Sequence, residues 1–219
     1  ALTVAVVTKP FLFEGTRRMV QAEEGIEKLK KEVDTLIVIP NQRILDVIRK
    51  EDTLLNAFRM ADSVLSQGVQ SISDLITIPG LINVDFADVK TVMCNAGSAL
   101  MGIGTASGDK RAVVAAKQAV SSPLLEISID GARGILFNIS AGKNLTMSEV
   151  NDAANIISAA ADPDANIIFG ATIREDLGED IKISVIATGF DENRRRLQSF
   201  FTRVNPNYFS RPVAQSEVE

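Results

Sequence analysis

The feature that most constrains the fold is a strand-forming run at the start of the chain, residues 2–8 with the sequence LTVAVVT. Both faces of this run are apolar or β-branched, which predicts an interior strand of a parallel sheet, and Lys9-Pro10 ends it. An interior strand needs a neighbour on each side, but only one candidate follows nearby, residues 35–39. We therefore expect the natural N-terminus of the polypeptide to lie upstream of this run.

Helical and strand patterns alternate along the rest of the chain. A charged helix over residues 16–33 would join the first two strands in a βαβ unit, and a short helix over residues 42–48 follows. Thr53 is then the N-cap candidate of a long helix that ends at Pro79-Gly80. Helical spacing predicts its apolar face as Leu54, Phe58, Ala61, Leu65, Ile72, Leu75 and Ile76.

Beyond the long helix the patterns predict a second α/β body. Its helices are expected over residues 85–93, 109–121 and 147–161, and its strands over residues 99–105, 134–140, 166–173 and 181–188. The link between the last two strands, residues 174–180, is short enough for an antiparallel hairpin. Residues 191–219 are expected to form a weakly ordered tail.

Composition excludes several classes of chemistry. The chain has no histidine and one cysteine, Cys94, so thiol–imidazole catalysis and most zinc sites are excluded, and no metal site is expected within the chain. A net charge of -5 argues against a nucleic-acid binder, and the Arg194-Arg195-Arg196 run is interpreted as solvated surface or a local partner contact. No apolar run approaches the roughly 20 residues of a membrane span, so we expect a cytoplasmic protein with at most an indirect membrane attachment.

Four segments carry a family resemblance, and shorter matches occur in residues 101–104, 121–126 and 186–190. The four segments are TVAVVTKPF with FEG (residues 3–15), DTLIVIPN (34–41), GVQSISDLI (68–76) and PGLINVDFADV (79–89). Together they resemble FtsZ, the tubulin-like GTPase family of bacterial cell division, over residues 1 to about 190. The resemblance implies a partial tubulin/FtsZ fold: a remnant of a Rossmann-like GTPase domain (1–50), a long central helix (51–78), a C-terminal α/β domain with a mixed sheet (79–190) and the tail (191–219).

The Gly-rich phosphate loop typical of this family, a GGGTGTG-like run, does not occur in the sequence. Phosphates need backbone N–H groups at close approach, which glycine permits. Gly102, Gly104 and Gly108 lie in a strand and its exit, where they indicate close packing instead. We therefore expect the chain to be the C-terminal two-thirds of such a protein, without the N-terminal GTP-binding half and inactive alone.

Five residues are candidates for nucleotide binding. By composition alone, Glu14 and Arg18 would be a helix-dipole acid and a solvent-facing cation, Asn41 a turn residue and Phe58 a core residue. The resemblance instead implies that Glu14 and Arg18 hold the ribose and phosphate region of GTP or GDP, and that Asn41 contacts the base. It also implies that Phe58 stacks on guanine while the Asp62 carboxylate accepts its N–H groups.

Asn83, Asp85 and Asp88 are the candidate catalytic residues. On spacing alone, Asp85 is a good N-cap and Asp88 an acidic third residue in an arrangement like a capping box. The resemblance implies that this loop enters the nucleotide pocket of the next subunit, where its carboxylates position the attacking water and a cation, Mg²⁺ in the complete protein.

Contacts of that kind are heterologous and generate open filaments. The resemblance implies a homopolymeric GTPase filament that forms the division ring in the cytoplasm with adaptor proteins. The alternative is a non-catalytic fragment or paralogue that caps or inhibits filaments through the exposed loop. An unrelated small α/β metabolic enzyme has little support, because no nucleophile–base pair or cofactor fingerprint is found.

Overall fold

A computed structural model describes residues 1–45, 53–122, 125, 129 and 131–190. Residues 46–48 of the short helix, most of the 121–126 match, Arg194 to Arg196 and the tail lie outside them. The described strands are β1 (Val4–Lys9), β2 (Thr35–Pro40), β3 (Gly97–Ala106), β4 (Gly134–Ala141), β5 (Asn166–Ile173) and β6 (Ile181–Thr188). They form one mixed sheet in the order β1-β2-β3-β6-β4-β5. The predicted α/β fold with a mixed sheet is confirmed.

Helices connect and cover these strands. They are α1 (Thr16–Leu29), α2 (Asn41–Ile44), α3 (Leu54–Thr77), α4 (Phe86–Met93), α5 (Arg111–Val120) and α6 (Met147–Ala159), with 3₁₀ turns at Leu12–Glu14 and Glu175–Leu177. Thr53 caps α3 as predicted, its hydroxyl accepting from the Asn56 N–H at 3.3 Å. None of the helices among the described residues has the length and apolar character that crossing a bilayer requires.

Strand β3 is shared by two pairing systems. Its first three residues, Gly97 to Ala99, pair in parallel with β2, and the residues from Leu100 to Ala106 pair antiparallel with β6. Both systems fall within the compact unit of residues 1–189. The division at residues 50, 78 and 190 stays a prediction.

The predicted hairpin between the last two strands is wrong. Strand β4 lies between β5 and β6, pairing in parallel with β5 and antiparallel with β6. The parallel pair is made by a crossover through α6, and residues 174–180 then step over β4 rather than turning tightly. Two strand spacings are only about 10 Å, which a seven-residue link spans easily.

Strand β1 does not have the two neighbours that its sequence predicts. Among the described residues it pairs only with β2, from Val4↔Thr35 to Lys9↔Pro40. Its six residues are all partly exposed, whereas β2 is almost entirely buried. Its composition is thus that of an interior strand, but its position is at the edge of the sheet.

The buried face of α3 agrees with the predicted one only at Ala61 and Leu75. Its buried residues are Ala57, Ala61, Val64, Gly68, Ser71 and Leu75, whereas Leu54, Phe58 and Ile76 are exposed. Small residues bring the helix close to the sheet: a Cβ on Gly68 would approach the Met101 side chain to 3.1 Å. The spacing prediction selected mainly large apolar residues and so missed Ala57, Gly68 and Ser71.

Gly102 and Gly104 serve close packing, as the sequence indicates. A Cβ at either position would overlap the backbone carbonyl oxygen of Ala119 or Ala115 in α5. Helix α5 therefore lies directly on β3, and only glycine permits that approach at these two positions.

Arg111, the first residue of α5, makes contacts with three segments of the chain. Its buried guanidinium donates from Nε to Glu149 Oε1 at 2.6 Å and from Nη2 to Glu149 Oε2 at 3.2 Å. It also donates to the Asn144 side chain and to the Glu179 carbonyl oxygen. Glu149 accepts from the Thr146 N–H as well, which completes the capping box of α6. One ion pair thus holds α5, α6 and the β5–β6 link together.

This pair makes stability depend on pH. Hydrogen bonding from Arg111 lowers the pKa of Glu149, although burial opposes the shift. A carboxyl group with a lowered pKa in the folded state stabilises the protein above its ordinary pKa, and that contribution is lost as the pH falls through the folded-state value.

We predict that Glu149→Gln lowers the free energy of unfolding at pH 7 by about 3 kcal/mol, because the Arg111 charge stays buried without its partner. The difference from the unsubstituted chain should begin to shrink as the pH falls below about 4, the ordinary pKa of a glutamate, and should disappear only below the lowered pKa of folded Glu149. Urea unfolding at several pH values measures both. Glu175→Gln is the matched control: it removes the exposed Lys143–Glu175 pair and should cost under about 0.5 kcal/mol. Equal effects of the two substitutions would contradict a central role for the Arg111–Glu149 pair.

Candidate functional site

A cleft lies where the carboxyl ends of β1 and β2 meet the first turns of α3. Ligands of open α/β sheets bind at this edge. The cleft has a volume of about 480 Å³. It is lined by Thr8, Pro10, Glu14, Arg18, Gln21, Ala22, Asn41, Phe58, Ala61, Asp62 and Leu65. All five candidate nucleotide-binding residues are therefore brought together on its walls.

Glu14 and Arg18 form one wall. Glu14 ends the 3₁₀ turn after β1, and its Oε1 accepts from the Phe11 N–H at 2.8 Å. Its Oε2 lies 2.8 Å from Arg18 Nη1, one helical turn further along the chain. The Arg18 side chain is largely exposed, so its remaining donors face solvent and are available to an anion.

Asn41 provides a polar group at the base of the cleft. It follows Pro40 at the end of β2 and is 8% exposed. Its Oδ1 is buried and has no hydrogen-bond partner among the described residues. A buried acceptor without a donor costs about 1–3 kcal/mol, so a ligand that supplies an N–H group would be favoured here.

Phe58 and Asp62 lie one turn apart on α3. Phe58 is 40% exposed, which is too open for a residue with only a core role. Its ring meets Phe11 edge to face at 5.5 Å, and Phe11 stacks on Phe13 at 5.0 Å. An exposed ring beside a carboxylate can stack on a flat heterocycle and accept its N–H groups.

The candidate catalytic loop lies elsewhere. Ile82 bridges Ala171 of β5 in an antiparallel pair, and the Leu81 N–H also donates to the Ala171 carbonyl oxygen at 2.8 Å. Gly80 packs so closely that a Cβ would overlap that same oxygen. The Gly80 N–H donates to Asn83 Oδ1 at 2.6 Å, so the Asn83 amide shapes the turn.

Asp85 and Asp88 differ in their local roles. Asp85 is the N-cap of α4 and accepts from the Ala87 N–H at 3.2 Å. The Asp88 carboxylate has no hydrogen bond or ion pair with any residue that the structure describes. Both carboxylates are exposed. Capping therefore accounts for Asp85 but gives no role to the Asp88 side chain.

Two buried hydroxyls position α4, and the sequence analysis missed both. Thr188 Oγ1 of β6 donates to the Val92 carbonyl oxygen at 3.0 Å, and Thr35 Oγ1 of β2 donates to the Met93 carbonyl oxygen. The C-terminal end of α4 is thereby fixed to both pairing systems of the sheet. Threonines inside strands gave no signal of this role, because they are ordinary strand residues.

The loop and the cleft of one chain lie far apart. The cleft is at β1 and β2, and the loop is paired with β5 at the opposite edge, so four or five strand spacings, about 20–24 Å, separate them. Along α3, the 15 residues from Asp62 to Thr77 add a rise of about 22 Å. Neither Asp85 nor Asp88 lines the cleft of its own chain.

The described residues contain no cluster of three or more Cys, Asp or Glu side chains arranged to hold a metal ion. Proteins usually hold Mg²⁺ through one or two carboxylates, and water and substrate phosphates complete its six oxygen ligands. Asp85 and Asp88 would therefore hold the ion only together with a nucleotide.

Comparisons with known proteins agree with this architecture. Residues 97–191 match the model of the FtsZ family C-terminal domain, and residues 1–49 match that of the Tubulin/FtsZ family GTPase domain. A solved FtsZ dimer from M. jannaschii is 47% identical, with a TM-score of 0.83 over 86% of this chain and 55% of that one. This chain thus spans little more than half of that relative.

More distant structures share the fold alone. CetZ1 from Haloferax volcanii, solved as a GDP-bound monomer, is 14% identical, with a TM-score of 0.67 over 90% of this chain and 58% of that one. TubZ from Bacillus thuringiensis, solved as a GTPγS-form protofilament, is 13% identical, with a TM-score of 0.62 over 92% and 60%. From the two family matches and the FtsZ identity, this chain belongs to the tubulin/FtsZ family.

Proposed function

We propose that the chain is the guanine-binding and filament-contact part of a GTPase that assembles head to tail and hydrolyses GTP between subunits. One observation carries this proposal. The cleft and the exposed Asp85 and Asp88 lie at opposite edges of the sheet, so carboxylates can reach a nucleotide only in another copy. The solved relatives include an FtsZ dimer and a TubZ protofilament, which supports assembly by homopolymerisation.

Guanine recognition follows from the walls of the cleft. Phe58 would stack on the purine, and the Asp62 carboxylate would accept from N1–H and the 2-amino group. Asn41 would pair its unpartnered oxygen with the base, while Glu14 and Arg18 face the ribose and phosphates. Adenine lacks two of these donors and would leave Asp62 unpaired, so the preferred substrate is GTP.

The triphosphate needs a cradle of backbone N–H groups, which we assign to a Gly-rich segment outside this sequence. Hydrolysis would then depend on the neighbouring copy. Its Asp88, with Asp85 beside it, would accept hydrogen bonds from a water molecule and hold it in line with the γ-phosphorus. The water oxygen bonds to phosphorus as the bridging β–γ oxygen leaves with GDP; one water proton stays on the inorganic phosphate and the other passes to solvent.

Such a filament would serve as the division ring in the cytoplasm, with adaptor proteins as indirect links to the membrane. Because hydrolysis occurs only at a subunit contact, assembly would trigger the reaction that later weakens the same contact. The runner-up is a non-catalytic fragment or paralogue that caps or inhibits filaments through the exposed loop. The size of the polypeptide in cell extracts, detected with an antibody to this chain, distinguishes the two.

We predict that Phe58→Ala lowers GDP affinity about tenfold, the scale of one lost ring stack. The test uses a chimera in which the uncovered segment of M. jannaschii FtsZ precedes this chain. Titration calorimetry measures the affinity and differential scanning calorimetry the melting temperature. Val69→Ala, another exposed apolar position on α3, is the control and should leave affinity unchanged. If Phe58→Ala lowers only the melting temperature, the guanine assignment fails.

In the same chimera, Asp88→Ala should leave GTP binding nearly intact while turnover falls at least about 100-fold, the loss typical of removing a group that acts in the transition state. Asp88 lies outside its own cleft, so the monomer's affinity does not depend on it. Lys90→Ala, two residues further along α4 and also exposed, is the control for surface effects.

Mixing two inactive variants tests directly whether one copy supplies the carboxylates to another. Asp88→Ala subunits combined with Phe58→Ala/Asp62→Ala subunits should hydrolyse GTP faster than either protein alone, because one supplies the nucleotide and the other the carboxylates. If the mixture stays as inactive as both parents while co-sedimentation shows that they assemble, catalysis in trans through this loop is wrong.

We also predict that the free chain inhibits assembly of M. jannaschii FtsZ at substoichiometric ratios. Its loop end would dock on a filament, but without a phosphate cradle it offers no complete nucleotide end to the next subunit. Sedimentation of the assembled protein measures the effect, with heat-unfolded chain as the control. Unchanged sedimentation at an equimolar ratio would contradict a folded, accessible loop.

A further inference from the structure

Arg174, the first residue after β5, connects that strand to the end of α3. Its Nη2 and Nε donate to the two carboxylate oxygens of Asp176 at 2.8 and 3.1 Å. Its Nη1 lies 3.6 Å from Asp74 Oδ2 in the last turn of α3. The Arg174 N–H also donates to the Ala141 carbonyl oxygen at the end of β4, at 2.8 Å. The guanidinium is thus oriented by Asp176 and by the backbone where it meets α3.

Asp74 occupies a position that is unfavourable for an acid. A carboxylate in the last turn of a helix lies at the negative end of the helix dipole. The Asp74 side chain is also only 16% exposed, so water solvates it poorly. Arg174 supplies a compensating positive charge, and the partly buried Lys182 of β6 adds a weaker attraction. The end of α3 is therefore tied electrostatically to the chain around β5.

Apolar contact alone would not fix this arrangement. The Leu75 side chain lies over Gly170 of β5, where an added Cβ would be 3.0 Å from Leu75 Cδ2. Such packing holds α3 against the sheet, but the hydrophobic effect is non-directional. The ion pair from Asp74 to Arg174, beside Leu75, adds a defined position of α3 along the strand.

The candidate catalytic loop is held by the same strand, three residues before Arg174. The Leu81 and Ile82 N–H groups donate to the Ala171 carbonyl oxygen at 2.8 and 3.2 Å. The Ala171 N–H donates in turn to the Ile82 carbonyl oxygen at 3.0 Å. The end of β5 therefore binds the loop through the Ala171 backbone and α3 through the Arg174 side chain.

The connection between these two attachments is short and stiff. Residues 78–80 alone join the end of α3 to the paired part of the loop. Proline at residue 79 has a fixed φ, and Gly80 packs so closely that a Cβ would overlap the Ala171 carbonyl oxygen. Such a link cannot absorb a shift of α3 along β5. The shift would instead pass into the turn at Asn83 and on to Asp85.

We propose that Arg174 is a positioning residue for Asp85 and Asp88. Its ion pair with Asp74 fixes the end of α3 relative to β5, and this sets the orientation of the loop that follows. The inference rests on the proposed function, in which the two carboxylates act on a nucleotide held by another copy. Arg174 does not line the cleft of its own chain, so its effect reaches the reaction only through the loop.

Hydrogen exchange of this chain, followed by NMR, tests the link without any nucleotide. We expect Arg174→Ala to speed exchange of the Leu81 and Ile82 amides about fivefold, because their bonds to Ala171 open more readily. Amides of α6 should exchange at the unsubstituted rate. Lys143→Ala, which removes the exposed Lys143–Glu175 pair, is the matched control and should leave the loop amides unchanged.

A double-mutant cycle shows whether Arg174 acts through Asp74. Asp74→Ala should speed exchange of the loop amides as much as Arg174→Ala does. The double variant should exchange no faster than either single variant, because both substitutions remove the same ion pair.

Kinetics separate positioning from a general loss of stability. In the chimera with M. jannaschii FtsZ, Arg174→Ala should lower GTP turnover about tenfold through kcat while GDP affinity, measured by calorimetry, stays unchanged. A purely structural role would speed exchange in α6 as well, and the loss of turnover would then follow the fraction of unfolded protein.

Four results would each overturn the proposal. They are unchanged exchange at Leu81 and Ile82, equal acceleration in α6, additive effects in the cycle, and full turnover in a chimera whose loop amides exchange faster. Failure of the proposed function has a different signature. Asp88→Ala would then keep full turnover, whereas the exchange of the loop amides, measured without nucleotide, would be unaffected.

Discussion

The fold depends on the divided pairing of β3. Three residues at its start continue the parallel pair of β1 and β2, and the next seven belong to the antiparallel system with β6. A strand cannot slip in one register without disturbing the other, and a shift of one residue would turn its buried side chains to the opposite face. Gly102 and Gly104 lie within the second segment, where α5 rests on the backbone. This one strand therefore fixes the parallel part that carries the cleft relative to the part that carries the loop.

Helices α3 and α4 both pack on this sheet, but they position different parts of the molecule. Helix α3 starts at the cleft and ends next to the loop, so its 24 residues set the separation between the two sites. Helix α4 carries the carboxylates at its N-terminal end, while Thr35 and Thr188 hold its C-terminal carbonyl groups from β2 and β6. Val89, Val92 and Met93 pack into the same core as Val64 and Leu75 of α3. The exposed loop is thus followed by a helix whose other face is buried in the core.

Most of the helices and strands were predictable from local sequence, and the predictions that were wrong have physical causes. Strand composition and the Thr53 cap predicted the elements, because those signals are local. The β5–β6 hairpin was wrong, because nothing in residues 174–180 reveals that β4 lies between the two strands. The face of α3 was predicted only in part, because glycine and serine give no apolar signal although close approach requires them. At the site, the resemblance named five of the eleven residues that line the cleft. The unpartnered oxygen of Asn41 and the contacts of Thr35 and Thr188 arise only from tertiary structure.

Exposed carboxylates such as Asp85 and Asp88 are poor catalysts in isolation, because bulk water solvates them and competes for every hydrogen bond they could offer a reacting water. Burial at a subunit contact would remove that competition. Burial of two carboxylates is costly, however, unless other contacts provide the favourable free energy. In the proposed mechanism, the separation of Asp85 and Asp88 from the cleft of their own chain would keep hydrolysis slow in the monomer and allow it only where two copies meet.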